Sequence, residues 1–154
     1  MAKSPPLIIL GSDHAGYAAK QAIISSLAKK GRTLLDVGGF SEQTHDDYPD
    51  YAAEVAKAVA QEKGKAVGIL ICGTGTGMVI AANKIKGIRA SVVYDEYSAK
   101  MARQDNDANI IALRGRNFSI TKDTKLVEIF LNTPFSGEER HKRRLRKIAK
   151  LEGR

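Results

Sequence analysis

The chain has one cysteine, no tryptophan and four prolines among its 154 residues. A single thiol, Cys72, has no partner for an internal disulfide, and no cysteine–histidine cluster has the spacing of a zinc site, so no metal is expected. Aromatic residues make up 6%, too few for a platform that stacks single-stranded nucleic acid. No apolar run approaches the length of a membrane span, and Met1 to Pro6 lack the apolar centre of a signal peptide. The expectation is a cytoplasmic protein with neither a membrane nor a nucleic-acid partner. Acidic side chains are also scarce, 17 against 25 Lys and Arg, for a net charge of +8. That excess is local. Residues 138–154 hold eight Lys/Arg and three Asp/Glu, which describes one basic arm rather than a broadly basic surface.

What is present fits an ordinary globular chain, with 43% hydrophobic and 27% charged residues. The length matches one domain spanning 1–154, with 137–154 as a C-terminal basic helix or tail. Leu7 to Leu10 reads as a first buried strand, ending in the polar loop Gly11–Gly16. Tyr17 to Lys30 follows as a helix with Ala18, Ala22, Ile23 and Leu27 on one face, closed by Gly31. Thr33 to Val37 is a short strand, and Pro49 suits the start of a helix over Tyr51 to Gln61. Ile69 to Ile71 makes the third strand, with a helix over Met78 to Asn83. Further strands are expected at Gly87–Val93 and Asn109–Leu113. Helices are expected at Glu96–Arg103, Thr121–Asn132 and Glu138–Lys150. Strands alternate with helices and no hairpin signal appears. The pattern predicts a Rossmann-like three-layer αβα sandwich with a five-stranded parallel sheet and a basic C-terminal helix.

The stretch with the most chemistry is Gly68-Ile-Leu-Ile-Cys-Gly-Thr-Gly-Thr-Gly77. Strand, glycine loop and helix in that order let backbone N–H groups converge on an anion. Cys72 stands at the mouth of this loop, where amides and a helix N-terminus favour a thiolate. A bland reading stands beside it. Glycine-rich strand–helix turns are common in nucleotide-binding domains, and a lone cysteine at a strand end is often an inert small side chain. Ligands of such sheets bind beyond the carboxyl ends of the strands. With the strand order 2-1-3-4-5, Asp13, His14, Cys72, Thr74 and Arg116 gather at one crevice.

GSDHAG (11–16), DDYPDYA (46–52), GILICGTGTGM (68–78), AANKIKGIRA (81–90), YSAKMARQDNDANIIALRGR (97–116) and RHKRR (140–144) together resemble the B-type ribose-5-phosphate isomerases. These group with the galactose-6-phosphate isomerase subunits. The resemblance covers almost the whole chain. It implies an aldose–ketose isomerase that interconverts ribose 5-phosphate and ribulose 5-phosphate without cofactor or metal. Cys72 holds the family's base position, and Thr74 with the amides of Gly73, Gly75 and Gly77 suits the oxyanion. Some members carry a carboxylate base in this loop, where Thr76 stands here. By the same resemblance His14, Arg116, Arg140 and Arg144 clamp the phosphate, Asp13 and Tyr48 contact the sugar hydroxyls, and Asn106 holds the other end. Members are homodimers or tetramers with sites shared between subunits, which implies that Asn106 reaches a neighbour's Cys72 loop.

One position departs from the pattern. Asp105 stands where the family has the histidine that opens the furanose ring. Three readings follow: Asp105 accepts the proton, His45 supplies the imidazole, or the preferred sugar differs, such as a six-carbon phosphate (allose or galactose 6-phosphate) or one presented in open-chain form. A non-catalytic nucleotide- or phosphate-binding module is the remaining class, and it leaves the basic tail unexplained.

Overall fold

The computed structural model describes residues 4–153, so the extreme ends of the expected domain and tail lie outside the described residues. The first apolar run forms β1 (Leu7–Ser12), and a single 3-10 turn at His14–Gly16 leads into α1 (Tyr17–Lys29). Then come β2 (Leu34–Asp36), α2 (Tyr48–Gln61) and β3 (Ala66–Cys72). The second half contains α3 (Thr76–Ala82), β4 (Ala90–Val92), α4 (Glu96–Gln104), β5 (Ile110–Arg114), α5 (Ile120–Asn132) and α6 (Glu139–Leu151). Among the described residues, no helix is long and apolar enough to cross a membrane.

All strand pairs are parallel, in the order β2-β1-β3-β5-β4. The last two places, those of β4 and β5, are exchanged relative to the expected 2-1-3-4-5. Burial explains the exchange. A parallel strand covered on both faces needs a continuous apolar run, and Ile110 to Leu113 of β5 supplies one, fully buried. The three residues of β4 are only half-buried, which suits an edge. The exchange sets β5 directly against β3, with Cys72 in register with Arg114.

Alternate residues of each strand enter two cores. Ile8, Leu10, Ile69, Ile71, Ile111 and Leu113 pack beneath α1, α4 and α5. Ile9, Leu70, Cys72, Ile110 and Ala112 pack beneath α2 and α3. Each fully buried Ile or Leu contributes roughly 1.5–3 kcal/mol, and all seven residues of β3 are buried, so β3 is the axis of the fold. The inner face of α1 is Ala19, Lys20, Ile23 and Leu27, so Ile23 and Leu27 are buried as expected, while Ala22 is half-buried and Ala18 is exposed. Alanine carries little periodic signal, and a lysine on the inner face masks the rest. Helix α6 lies across the amino edge of the sheet. It is tied there by the Ser136 N–H to the Gln104 carbonyl at 3.0 Å and by Glu152 accepting the Gly87 N–H at 3.2 Å.

Candidate active site

Cys72 is the last residue of β3, where the ladder stops and the chain turns. The residue is 5% exposed, and its sulfur accepts the Gly75 N–H at 3.1 Å. The turn requires glycine at 75, whose φ of +82° is a left-handed conformation just before the first turn of α3. Thr74 is exposed on the same loop, and its Oγ1 accepts the Thr76 N–H at 3.4 Å. The neighbouring strand holds the loop in place. Gly115 N–H donates to the Cys72 carbonyl at 2.7 Å, and Arg116 N–H to the Gly73 carbonyl at 3.3 Å. The Arg116 side chain lies over Gly73, where a β-carbon would stand 3.8 Å from Nη1. Tyr48, first residue of α2, covers the loop from the other side. Its ring is so close that a β-carbon at Gly77 would meet it at 2.6 Å.

The loop after β1 completes the crevice. Asp13 is buried, and its Oδ1 accepts the Gly16 N–H at 3.1 Å. Burial raises the Asp13 pKa above the usual carboxylate value, and the Gly16 N–H offsets this only in part. His14 is anchored twice by one oxygen: Asp46 Oδ1 lies 2.8 Å from both its main-chain N and its Nδ1. Burial raises the Asp46 pKa, but the His14 hydrogen bonds and the Tyr51 hydroxyl more than reverse this, leaving it below the usual value. With Nδ1–H given to Asp46, the imidazole keeps Nε2 for a ligand. His45 packs edge-on against His14, ring centroids 5.3 Å apart.

Asp13, His14, Tyr48, Cys72, Gly73, Thr74, Gly75, Gly77 and Arg116 therefore share the carboxyl edge of the sheet. Asp105, Asn106, Arg140 and Arg144 do not. Helix α4 runs against the strands and ends at Asp105, so these residues lie at the amino edge, a strand's length or roughly 15–20 Å away. They form a cluster of their own. His141, 4% exposed, lies 3.0 Å from the Asp105 carbonyl and 3.8 Å from its Oδ1 through Nδ1. Its Nε2 accepts from Arg140 Nε at 3.0 Å, and Arg144 is exposed one turn further along α6. His45, the alternative imidazole, belongs to the opposite edge from Asp105.

Sequence reasoning passes over Asp46, Tyr51 and His141. The first two lie within the DDYPDYA segment and the third within RHKRR, so the segments carried the signal while the individual side chains did not. Among the described residues, no three His, Cys, Asp or Glu side chains are grouped as a metal site requires.

A parallel sheet of this order, with a thiol, an imidazole held by a carboxylate and a guanidinium at its carboxyl edge, defines a doubly wound α/β protein whose reactive groups sit on loops. Its relatives narrow that class. Residues 8–148 match the family model described as Ribose/Galactose Isomerase, and the chain belongs to that family. Ribose-5-phosphate isomerase B of Escherichia coli (strain K12) is 41% identical over 147 residues, covering 96% of this chain and 97% of that one. Its counterpart from Mycobacterium leprae is 36% identical, covering 94% and 89%. The crystal structure of ribose-5-phosphate isomerase B from Mycoplasma genitalium with bound ribulose-5-phosphate superposes with a TM-score of 0.93 at 40% identity, covering 98% and 99%.

Proposed function

We propose that this chain is an aldose–ketose isomerase interconverting ribose 5-phosphate and ribulose 5-phosphate, with Cys72 as the proton-transfer base. The observation that carries the reading is the Cys72 sulfur at the end of the central strand, bonded to a loop N–H, on the edge where the Arg116 side chain lies over Gly73 and the Asp13 N–H reaches the Ile71 carbonyl at 3.3 Å. It stands in a chain similar over nearly its whole length to an enzyme crystallised with ribulose-5-phosphate. In the aldose-to-ketose direction the thiolate takes the C2 proton, and the electron pair moves through C1–C2 onto the O1 carbonyl oxygen as an enediolate. The O2 hydroxyl proton passes to O1, and the resulting thiol returns its proton to C1 as the C2 carbonyl forms. Loop N–H groups and Thr74 stabilise the oxyanion, while Asp13 and Tyr48 hold hydroxyls.

The phosphate is held by His14 and Arg116 together with the partner subunit's Arg140 and Arg144. The separation of the two clusters supports a homodimer, or a tetramer built from it, in which the amino-edge cluster of one subunit meets the carboxyl-edge loop of the other. The partner subunit's Asp105 and Asn106 then border the sugar. Cytoplasmic residence belongs to the same proposal, since a lone thiol base must stay reduced. The domain is taken as the whole chain, 1–154.

A six-carbon sugar phosphate is favoured by one feature. The Asp105 side chain is 36% exposed, open to accept a hydrogen bond from a hydroxyl. The test is an isomerase assay on ribose, allose and galactose phosphates. Turnover on ribose 5-phosphate above the other two is expected. A higher kcat/KM on a six-carbon phosphate would move the assignment to that sugar, and no turnover on any would remove it.

A further inference from the structure

Lys20 is fully buried on the inner face of α1, in a position where a charge needs compensation on every side. Its Nζ donates to Asp36 Oδ1 at 2.6 Å and to the Gly39 carbonyl at 2.7 Å. The remaining directions meet rings, with the Phe40 centroid at 5.2 Å and the Tyr17 centroid at 5.9 Å. The cation therefore grips the segment after β2 at two places, because Asp36 Oδ1 also accepts the Gly38 N–H at 3.1 Å.

That segment continues toward the crevice. Gly39 N–H donates to the Ser12 carbonyl at 2.6 Å, and Ser12 N–H donates to the Gly38 carbonyl at 2.8 Å, fixing Gly38–Gly39 against the residue before Asp13. Gly39 also backs the carboxylate that holds His14. A β-carbon there would stand 3.0 Å from Asp46 Oδ2 and 3.5 Å from the Tyr51 ring. The contacts run without a break from Lys20 to Gly39, to Asp46 and to the His14 imidazole.

We propose that Lys20 is a positioning residue for His14: through Gly39 it seats Asp46, and so fixes the imidazole that faces the substrate phosphate. The inference rests on the isomerase reading for its kinetic consequence but not for its geometry. Lys20 itself touches no substrate. Its removal leaves Asp36 and the Gly39 carbonyl without their shared donor, and the backing of Asp46 shifts.

The test is a double-mutant cycle on the full-length protein, Lys20→Met with His14→Ala, together with the histidine ring resonances followed by NMR across pH. Lys20→Met is expected to lower kcat/KM on the sugar phosphate roughly tenfold, as a misplaced binding group does. In the His14→Ala background the same change should cost less than about twofold, because coupled residues are not additive. The His14 titration midpoint should move in Lys20→Met while that of His141 stays. An equal loss in both backgrounds, or an unmoved His14 titration, overturns the proposal and leaves Lys20 a structural residue. If Lys20→Met does not fold, Gly39→Ala displaces the same backing with Lys20 retained, and the same two readouts apply. If the unaltered protein turned over no sugar phosphate, the function would fail, while the NMR measurement would still decide the role of Lys20.

Discussion

Cys72 fills little volume where β3 gives out, so removing its sulfur takes away a base without opening much of the core. Cys72→Ala is expected to lower kcat at least about 100-fold while inorganic phosphate still competes for binding. A variant that kept most of its rate would return the thiol to the status of a small buried side chain. Asp105 poses the opposite problem, because an ionised carboxylate accepts a proton but has none to donate to the ring oxygen. If ring opening limits the reaction, Asp105→His raises kcat/KM on ribose 5-phosphate. If Asp105 reads a hydroxyl of a larger sugar, the same change lowers activity on that sugar and leaves ribose 5-phosphate unimproved. Cys72, Asp13 and His14 were legible because reactive types stood in short glycine-bounded loops. Lys20, Asp46 and His141 were not. A charged or polar side chain reads as solvated unless something in the sequence names its partner, and their partners come from other elements.

Helix α5 carries an internal cost in its first turn. Asp123 is 1% exposed, and neither carboxyl oxygen has a hydrogen-bond partner. Burial raises its pKa to about 7, with the Arg114 guanidinium offsetting only part. The folded carboxyl thus keeps its proton up to about pH 7, whereas the unfolded one loses it near 3.8. Across that window the native state binds the extra proton, so this group makes the fold less stable as pH rises. Asp123→Asn should therefore raise Tm less at pH 5 than at pH 8, where the gain is roughly 1–3 kcal/mol. A Tm difference independent of pH would show that the carboxyl is not titrating there. In α6, Arg144 is exposed and free to meet an anion, so Arg144→Ala should raise KM for the sugar phosphate by the equivalent of roughly 1.5–3 kcal/mol. An unchanged KM with an altered oligomeric state would make the residue an interface group instead. Element types were readable from apolar runs and caps, and α2 begins at Tyr48 with Pro49 in its first turn, where Pro49 was expected to mark a helix start. The places of β4 and β5 in the sheet were not readable, since connection lengths allow either order and only packing on both faces decides.

At the scale of the molecule, the division of the candidate residues between two edges makes a prediction that needs two chains. Cys72→Ala and Arg140→Ala should each be nearly inactive alone. Mixed and reassembled in equal amounts, they should recover about a quarter of native activity, because half the dimers then hold one intact site of two. No recovery after verified subunit exchange would mean that each site is completed within one subunit. Individual motifs could be read in one chain, but their separation needed the sheet, because α4 returns Asp105 to the amino edge.

The strand order also matters while the chain is being made. β5, last in sequence, is an inner strand, so the sheet cannot be completed from one side outward. A nascent chain that has emerged only as far as Val92 has its first three strands but nothing beside the second edge of β3, and β4 has no neighbour at all. Two open edges invite pairing with other chains. Synthesis must reach Arg114 before that gap closes, and Arg116 before the Cys72 loop gains both of its β5-side hydrogen bonds. Ribosome-bound or truncated chains ending near Asn106 should therefore aggregate rather than behave as a smaller domain, and resistance to aggregation should arrive together with an ordered thiol loop.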